Sequence, residues 1–151
     1  MSVRVTGAVA ATAAVVLTLA SAEVVFATGT LDYQFYKTKV QPIFLAKRPG
    51  HAPCVVCHAE ANNMFRLEKL PQGQTVWTEE QTRKNFEAVS KIVEAVDDPL
   101  TAKILLHPLA PEAGGDAFHS GGRQFASKSD PNWKIIAQWA KGATLAPAKE
   151  K

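Results

Sequence analysis

The sequence predicts one all-α domain spanning about Leu31 to Gly142. Three observations predict it. Apolar residues recur at helical spacing in separate stretches, capping signatures head several of them, and no run alternates with period two for long enough to promise a sheet. The 151-residue chain is 46% hydrophobic and 21% charged, which supports a packed core and excludes wholesale disorder. Lys and Arg number 17 against 14 Asp and Glu, a formal net charge of +3. These basic residues are scattered, so the dense one-sided patch of a nucleic-acid surface is absent.

The N-terminus reads as an export signal. Met1 to Thr6 carries Arg4 and no acid, Gly7 to Ala22 is apolar or small, and Ala20-Ser21-Ala22 precedes Glu23. A basic tip, an apolar run and a small-residue cleavage site assign residues 1–22 to a signal peptide. An uncleaved membrane anchor is the alternative, although Glu23 interrupts the stretch of roughly 20 apolar residues that a span takes. Either reading puts the folded domain in the periplasm or on the outer face of the cytoplasmic membrane.

Between Leu31 and Leu45, Tyr33, Tyr36, Val40, Ile43 and Phe44 form one apolar stripe, with Lys37, Lys39 and Gln41 opposite. Pro42 removes a backbone donor and is expected to kink or close the last turn. Pro49-Gly50 marks a turn, and the chain after Cys57 is polar and irregular through Pro71 and Gly73. Thr78 to Gln81 is a capping box opening a helix whose apolar face carries Phe86, Val89, Ile92, Val93 and Val96. Asp98-Pro99 starts a short helix with Leu100, Ile104 and Leu105, ended by His107-Pro108. Ala110 to Lys128 is a loop punctuated by Gly114, Gly115, Gly121 and Gly122. Asp130-Pro131 opens the last helix, with Trp133, Ile136 and Trp139 among its apolar positions and Gly142 as its stop. Residues 143–151 read as a flexible tail.

Cys54-Val55-Val56-Cys57-His58 carries the chemistry. C-x-x-C-H is the attachment signature of c-type haem: two intervening residues let both sulfurs reach one haem edge, and the adjacent imidazole becomes the proximal iron ligand. Such haem is attached after export, in keeping with the N-terminal signal. A zinc site needs a second ligand pair at proper spacing, and the chain has only these two cysteines. A thioredoxin-like pair needs a preceding strand, and a C-x-x-C disulfide closes too small a loop to stabilise much.

With these residues in view, the chain resembles a monohaem class I-type bacterial cytochrome c. The closest likeness is to the group with an F-x4-V-x-P-I lead-in helix, here Phe35, Val40, Pro42 and Ile43. His119-Ser120-Gly121-Gly122 and Trp139-Ala140-Lys141-Gly142 are similar to that group's closing elements. The resemblance covers about Asp32 to Gly142. It implies N- and C-terminal helices crossing at the haem, short middle helices over one face, and one covalent haem c.

The sixth ligand departs from that pattern, because no methionine lies well downstream of the haem motif. Met64 follows His58 too closely to reach the distal side comfortably, and His51 precedes the motif. His119 is the first choice, since it lies where a distal loop runs and Gly121 and Gly122 permit close approach to a flat macrocycle. His107 is the runner-up, with helix capping as its competing role. Two histidines imply a lower potential than His/Met ligation and no vacant position.

The expected function is therefore one-electron transfer between redox partner proteins by an exported monohaem carrier, not catalysis. The alternatives are a haem enzyme or gas sensor with an open distal site, and a haem subunit of a larger membrane redox complex. Arg66 and Arg123 are weaker candidates for haem propionate partners, against the competing role of solvated surface charges.

Overall fold

Residues 31–145 are described by a computed structural model, and their regular structure is helical. Among them there is no strand, only the isolated bridge pairs Arg48–His51 and Leu109–Phe125. The signal assigned to residues 1–22 lies outside the described residues, as does the tail beyond residue 145. No helix among the described residues is long and apolar enough to cross a membrane.

The first helix begins at α1 (Tyr33–Phe35), where the Asp32 side chain caps the Phe35 N–H. It widens into a π-helical segment, Tyr36–Val40, and ends as α2 (Gln41–Leu45). Pro42 explains the widening: in an α-helix its ring would press on the carbonyl of Thr38 and leave it without a donor. The helix thus passes through the proline and closes three residues later, where the Ala46 N–H bonds the Pro42 carbonyl at 3.1 Å.

After the short α3 (Cys54–His58), Thr78 and Gln81 form the expected capping box at the head of α4 (Glu79–Glu94). Asp98 caps a single 3₁₀ turn, Pro99–Thr101, which leads to α5 (Lys103–Leu106). The last helix, α6 (Pro131–Ala140), has Asp130 bonded to the N–H groups of Asn132 and Trp133. It stops in a Schellman motif: Gly142, at φ 86°, donates to Trp139 O and Ala143 donates to Gln138 O.

Three tryptophans bolt these pieces together, each burying its ring while its N–H finds a carbonyl. Trp77 donates to Glu68, Trp133 to Leu105, and Trp139 to Asp32 at the start of the chain's first helix. The Trp139 ring packs 5.4 Å from Tyr36 and 6.1 Å from Phe86, so α6, the π segment and α4 meet in one aromatic cluster. These aromatics pack the core.

Two further contacts close the loop between α5 and α6. Gly115 donates to Ala110 O, and a Cβ at this glycine would lie 2.0 Å from the Leu109 carbonyl oxygen. Gly115→Ala should therefore force the backbone apart and cost about 1–3 kcal/mol in urea unfolding. Arg48, from the turn before α3, pairs with Asp130 and lies over the Phe125 ring at 5.0 Å.

Burial pushes the Asp130 carboxyl up, but bonds from Arg48 and from the Asn132 and Trp133 N–H groups outweigh it and hold it below the ordinary 3.8. A carboxyl lowered in the folded state stabilises fully above its unfolded value and less as pH falls through the folded one. Asp130→Ala should cost about 1–2 kcal/mol near neutrality. The gap between variant and wild type should shrink in urea titrations repeated as pH falls below the ordinary 3.8.

Candidate functional site

Cys54 and Cys57 open and close one turn of α3, and this three-residue spacing sets both on one face. His58 follows as its last residue. The next segment folds back: the Leu67 N–H bonds the His58 carbonyl at 3.0 Å, and His58 Nδ1 lies 2.7 Å from the Phe65 carbonyl oxygen. A carbonyl can only accept, so Nδ1 carries the proton and Nε2 keeps its lone pair. The Phe65 ring supports the imidazole at 4.2 Å and meets Phe44 edge-on at 5.3 Å. Burial chiefly lowers the His58 pKa, and the neighbouring His119 and His107 lower it further, against the raising effect of the Phe65 carbonyl. This favours the neutral, ligand-competent imidazole.

His119 is built the same way from the other side. A tight turn bonds the Gly122 N–H to the His119 carbonyl, and His119 Nδ1 lies 2.7 Å from the Gly122 carbonyl oxygen. Gly122 needs its φ of +78° for that turn. Gly121 lies against the ring, where a Cβ would come within 3.0 Å of Cε1. Buried Gln124 ties the loop down by donating to Gly121 O at 3.3 Å and to Ala52 O at 3.2 Å, just ahead of α3.

The two imidazoles face each other across a cavity, their centroids 6.3 Å apart and their planes 16° from parallel. His107 stands beside them, 6.2 Å from His119 with planes 8° apart. Its Nδ1 is paired with the Asp116 carboxylate, which Lys103 also contacts at 3.1 Å.

The cavity holds about 600 Å³, within the range of small-molecule and cofactor sites. Its apolar walls include Ile43, Phe44, Phe65, Ile104, Phe125 and Ile136. Cys54, Cys57, His58, His107 and His119 all line it, whereas Arg66 and Arg123 do not. Both cysteines are free thiols. Cys54 is half-buried, and burial pushes its thiol up to about 11 against the lowering charge of Arg48. Cys57 is exposed. Met64 and Phe118 line the cavity yet remain 66% and 77% exposed.

Other residues fall elsewhere. Arg66 is exposed, and Arg123 donates to the Ala117 carbonyl while its Nη1 is buried without a partner. Lys37 pairs with Glu79. With Arg48 held by Asp130, two of the basic residues near the first helix are engaged within the chain.

Sequence reasoning missed three supporting groups: the Phe65 carbonyl, Asp116 and Gln124. A backbone carbonyl has no residue-type signature, and the other two reach their partners only through loop folding. Among the described residues, no group of three or more His, Cys, Asp or Glu is arranged to hold a metal ion unaided. No family model, curated protein or solved structure matches the chain.

Proposed function

We propose that this chain is an exported monohaem c-type electron carrier, with a haem held by Cys54 and Cys57 and ligated by His58 and His119. The observation that carries the reading is the opposed imidazole pair. Both rings have Nδ1 bound to a backbone carbonyl, both leave Nε2 free, and their centroids lie 6.3 Å apart. His58 and His119 would be the residues that hold the iron of such a group, and Cys54 and Cys57 those that would tether it. The volume, the apolar walls and the two thiols on one helical face fit such a group.

Bound there, the haem supplies a one-electron ferric/ferrous couple. The chain's own residues do the rest. Cys54 and Cys57 fix one edge of the group, and the apolar walls keep water away from its faces. The Phe65 and Gly122 carbonyls hold a proton on each Nδ1, which orients the rings and leaves Nε2 as the nitrogen that could bind iron. Gln124 braces the loop carrying His119 against the segment leading to Cys54. Exposed Phe118 and Met64 offer redox partners an apolar edge. The all-α arrangement, with Trp139 of α6 against Tyr36 in the first helix, agrees with a cytochrome c-like fold. The export signal in the sequence points to the periplasm or the outer membrane face.

The test is production in a host that matures c-type cytochromes, followed by carbon monoxide addition to the reduced protein. The expected result is a haem spectrum that carbon monoxide leaves unchanged. A prompt spectral shift would reject the saturated carrier and favour the enzyme or gas-sensor reading.

A further inference from the structure

The loop that carries His119 and the segment that leads into α3 are far apart in sequence, and one buried amide joins them. Gln124 is 8% exposed, and its Nε2 donates to the Ala52 carbonyl at 3.2 Å and to the Gly121 carbonyl at 3.3 Å. A side-chain amide has two N–H donors, and here both engage backbone carbonyls. We propose that Gln124 is a positioning residue, whose two bonds hold the His119 ring in the orientation that faces His58. The tie is a property of the folded chain; the use of His119 as a ligand rests on the haem reading above.

The path from Gln124 to the imidazole is short. The carbonyl it holds belongs to Gly121, against which the ring lies, since a Cβ there would come within 3.0 Å of Cε1. The next carbonyl, that of Gly122, takes the His119 Nδ1 proton, and the Gly122 N–H returns a 2.9 Å bond to the His119 carbonyl. Rotation of the Gly121–Gly122 peptide would therefore move both the surface beside the ring and the acceptor that orients it. Two consecutive glycines offer the least backbone resistance to such rotation. Gln124 supplies the restraint from outside the turn.

Both ends of the tie are anchored. Phe125, next to Gln124, is 2% exposed; its N–H bonds the Pro108 carbonyl at 3.0 Å and its own carbonyl accepts from Ala110 at 2.9 Å. On the other side, His51 Nδ1 lies 3.4 Å from the position that a Cβ on Gly122 would take. Arg48 covers the Phe125 ring while it pairs with Asp130. Residues 48–52 thus run beside residues 121–125, with contacts at Arg48, His51 and Ala52. Burying an amide is costly unless its donors are satisfied, so a residue needed only to fill this space would be apolar. The consequence is that the thiol-bearing segment and the His119 loop are held as one unit.

The test is amide hydrogen exchange followed by NMR on the full chain, made in a host that matures c-type cytochromes and kept reduced, for wild type and Gln124→Met. Methionine keeps the length of the side chain and has no N–H to donate. Two equivalent backbone bonds report on the two imidazole-bearing segments: Gly122 N–H to the His119 carbonyl, and Leu67 N–H to the His58 carbonyl. In Gln124→Met the Gly122 amide should exchange about tenfold faster or more, while Leu67 stays within about twofold of wild type. Carbon monoxide added to the reduced, haem-loaded variant should shift its spectrum, whereas wild type should stay unchanged. An unaltered Gly122 amide overturns the proposal. So does equal acceleration of both amides, which marks a general loss of stability, and so does a haem-loaded variant that leaves carbon monoxide unbound. Should Gln124→Met fail to fold, Gln124→Glu, close in shape and without a donor when ionised, is read by the same criteria. A pyridine haemochrome assay on wild type separates the two claims: no covalent haem there rejects the haem reading, and the two amides then decide by themselves whether Gln124 holds the loop.

Discussion

Replacing Cys54 and Cys57 together with alanine should yield a protein that retains no pigment after extraction with acidic acetone, whereas the wild-type chain should keep it. The argument runs from the backbone upward. A short helix places the two thiols one turn apart on the wall of a single cavity, with His58 next in the chain. Without the sulfurs, any haem would be held only by His58, His119 and apolar contacts, and acid would protonate the imidazoles and free it. Single substitutions should each leave one thioether, so pigment stays with the polypeptide but the spectrum shifts. A double variant that remains coloured after extraction would show that the haem is attached elsewhere or that the cysteines serve another purpose. Serine in place of each cysteine should behave like alanine, since an oxygen of similar size forms no thioether.

Trp139→Ala should produce the largest loss of stability among single core substitutions, about 3–5 kcal/mol. Trp139 is fully buried, packs on Tyr36 and Phe86, and donates to the Asp32 carbonyl at 2.9 Å. The substitution therefore opens a cavity where the first and last described helices meet, and strands a carbonyl. Against a total of about 5–15 kcal/mol for an ordinary domain, that is a fifth or more of the whole. Trp139→Phe separates the two contributions. It keeps most of the ring contacts but not the hydrogen bond, and should cost about 1–3 kcal/mol. Urea unfolding followed by far-UV circular dichroism checks both, with the midpoint falling and the slope unchanged. A loss below about 1 kcal/mol for Trp139→Ala would mean that the first and last described helices are not held through this residue.

The helices that begin with a side-chain oxygen and end with a glycine were legible because both signals are local. Thr78 with Gln81, Asp98 with Pro99, and Asp130 with Pro131 each cap where the pattern indicates, and Gly142 closes α6. The π segment was not legible. Pro42 announces a disturbance, but whether the helix stops or widens depends on how Tyr36 and Val40 pack against the core, and both are wholly buried. At the candidate site, Cys54, Cys57 and His58 are adjacent in sequence, so their clustering required no tertiary information. His107 and His119 were both visible as candidates, with His119 ranked first on its position and the glycines after it. Their roles depend on a loop closed by the Leu109–Phe125 bridge and on which ring that loop turns toward His58. The carboxylate of Asp116 and the amide of Gln124 belong to the same category, being ordinary polar residues until the loop folds.

The most direct measurement is the intact mass of the mature chain under denaturing conditions, after production in a cell that attaches c-type haem. The expected mass is that of the processed polypeptide with one haem added, unchanged by unfolding because the linkage is covalent. The mass of the bare polypeptide, from a cell that matures a control cytochrome in parallel, would contradict the account at its root.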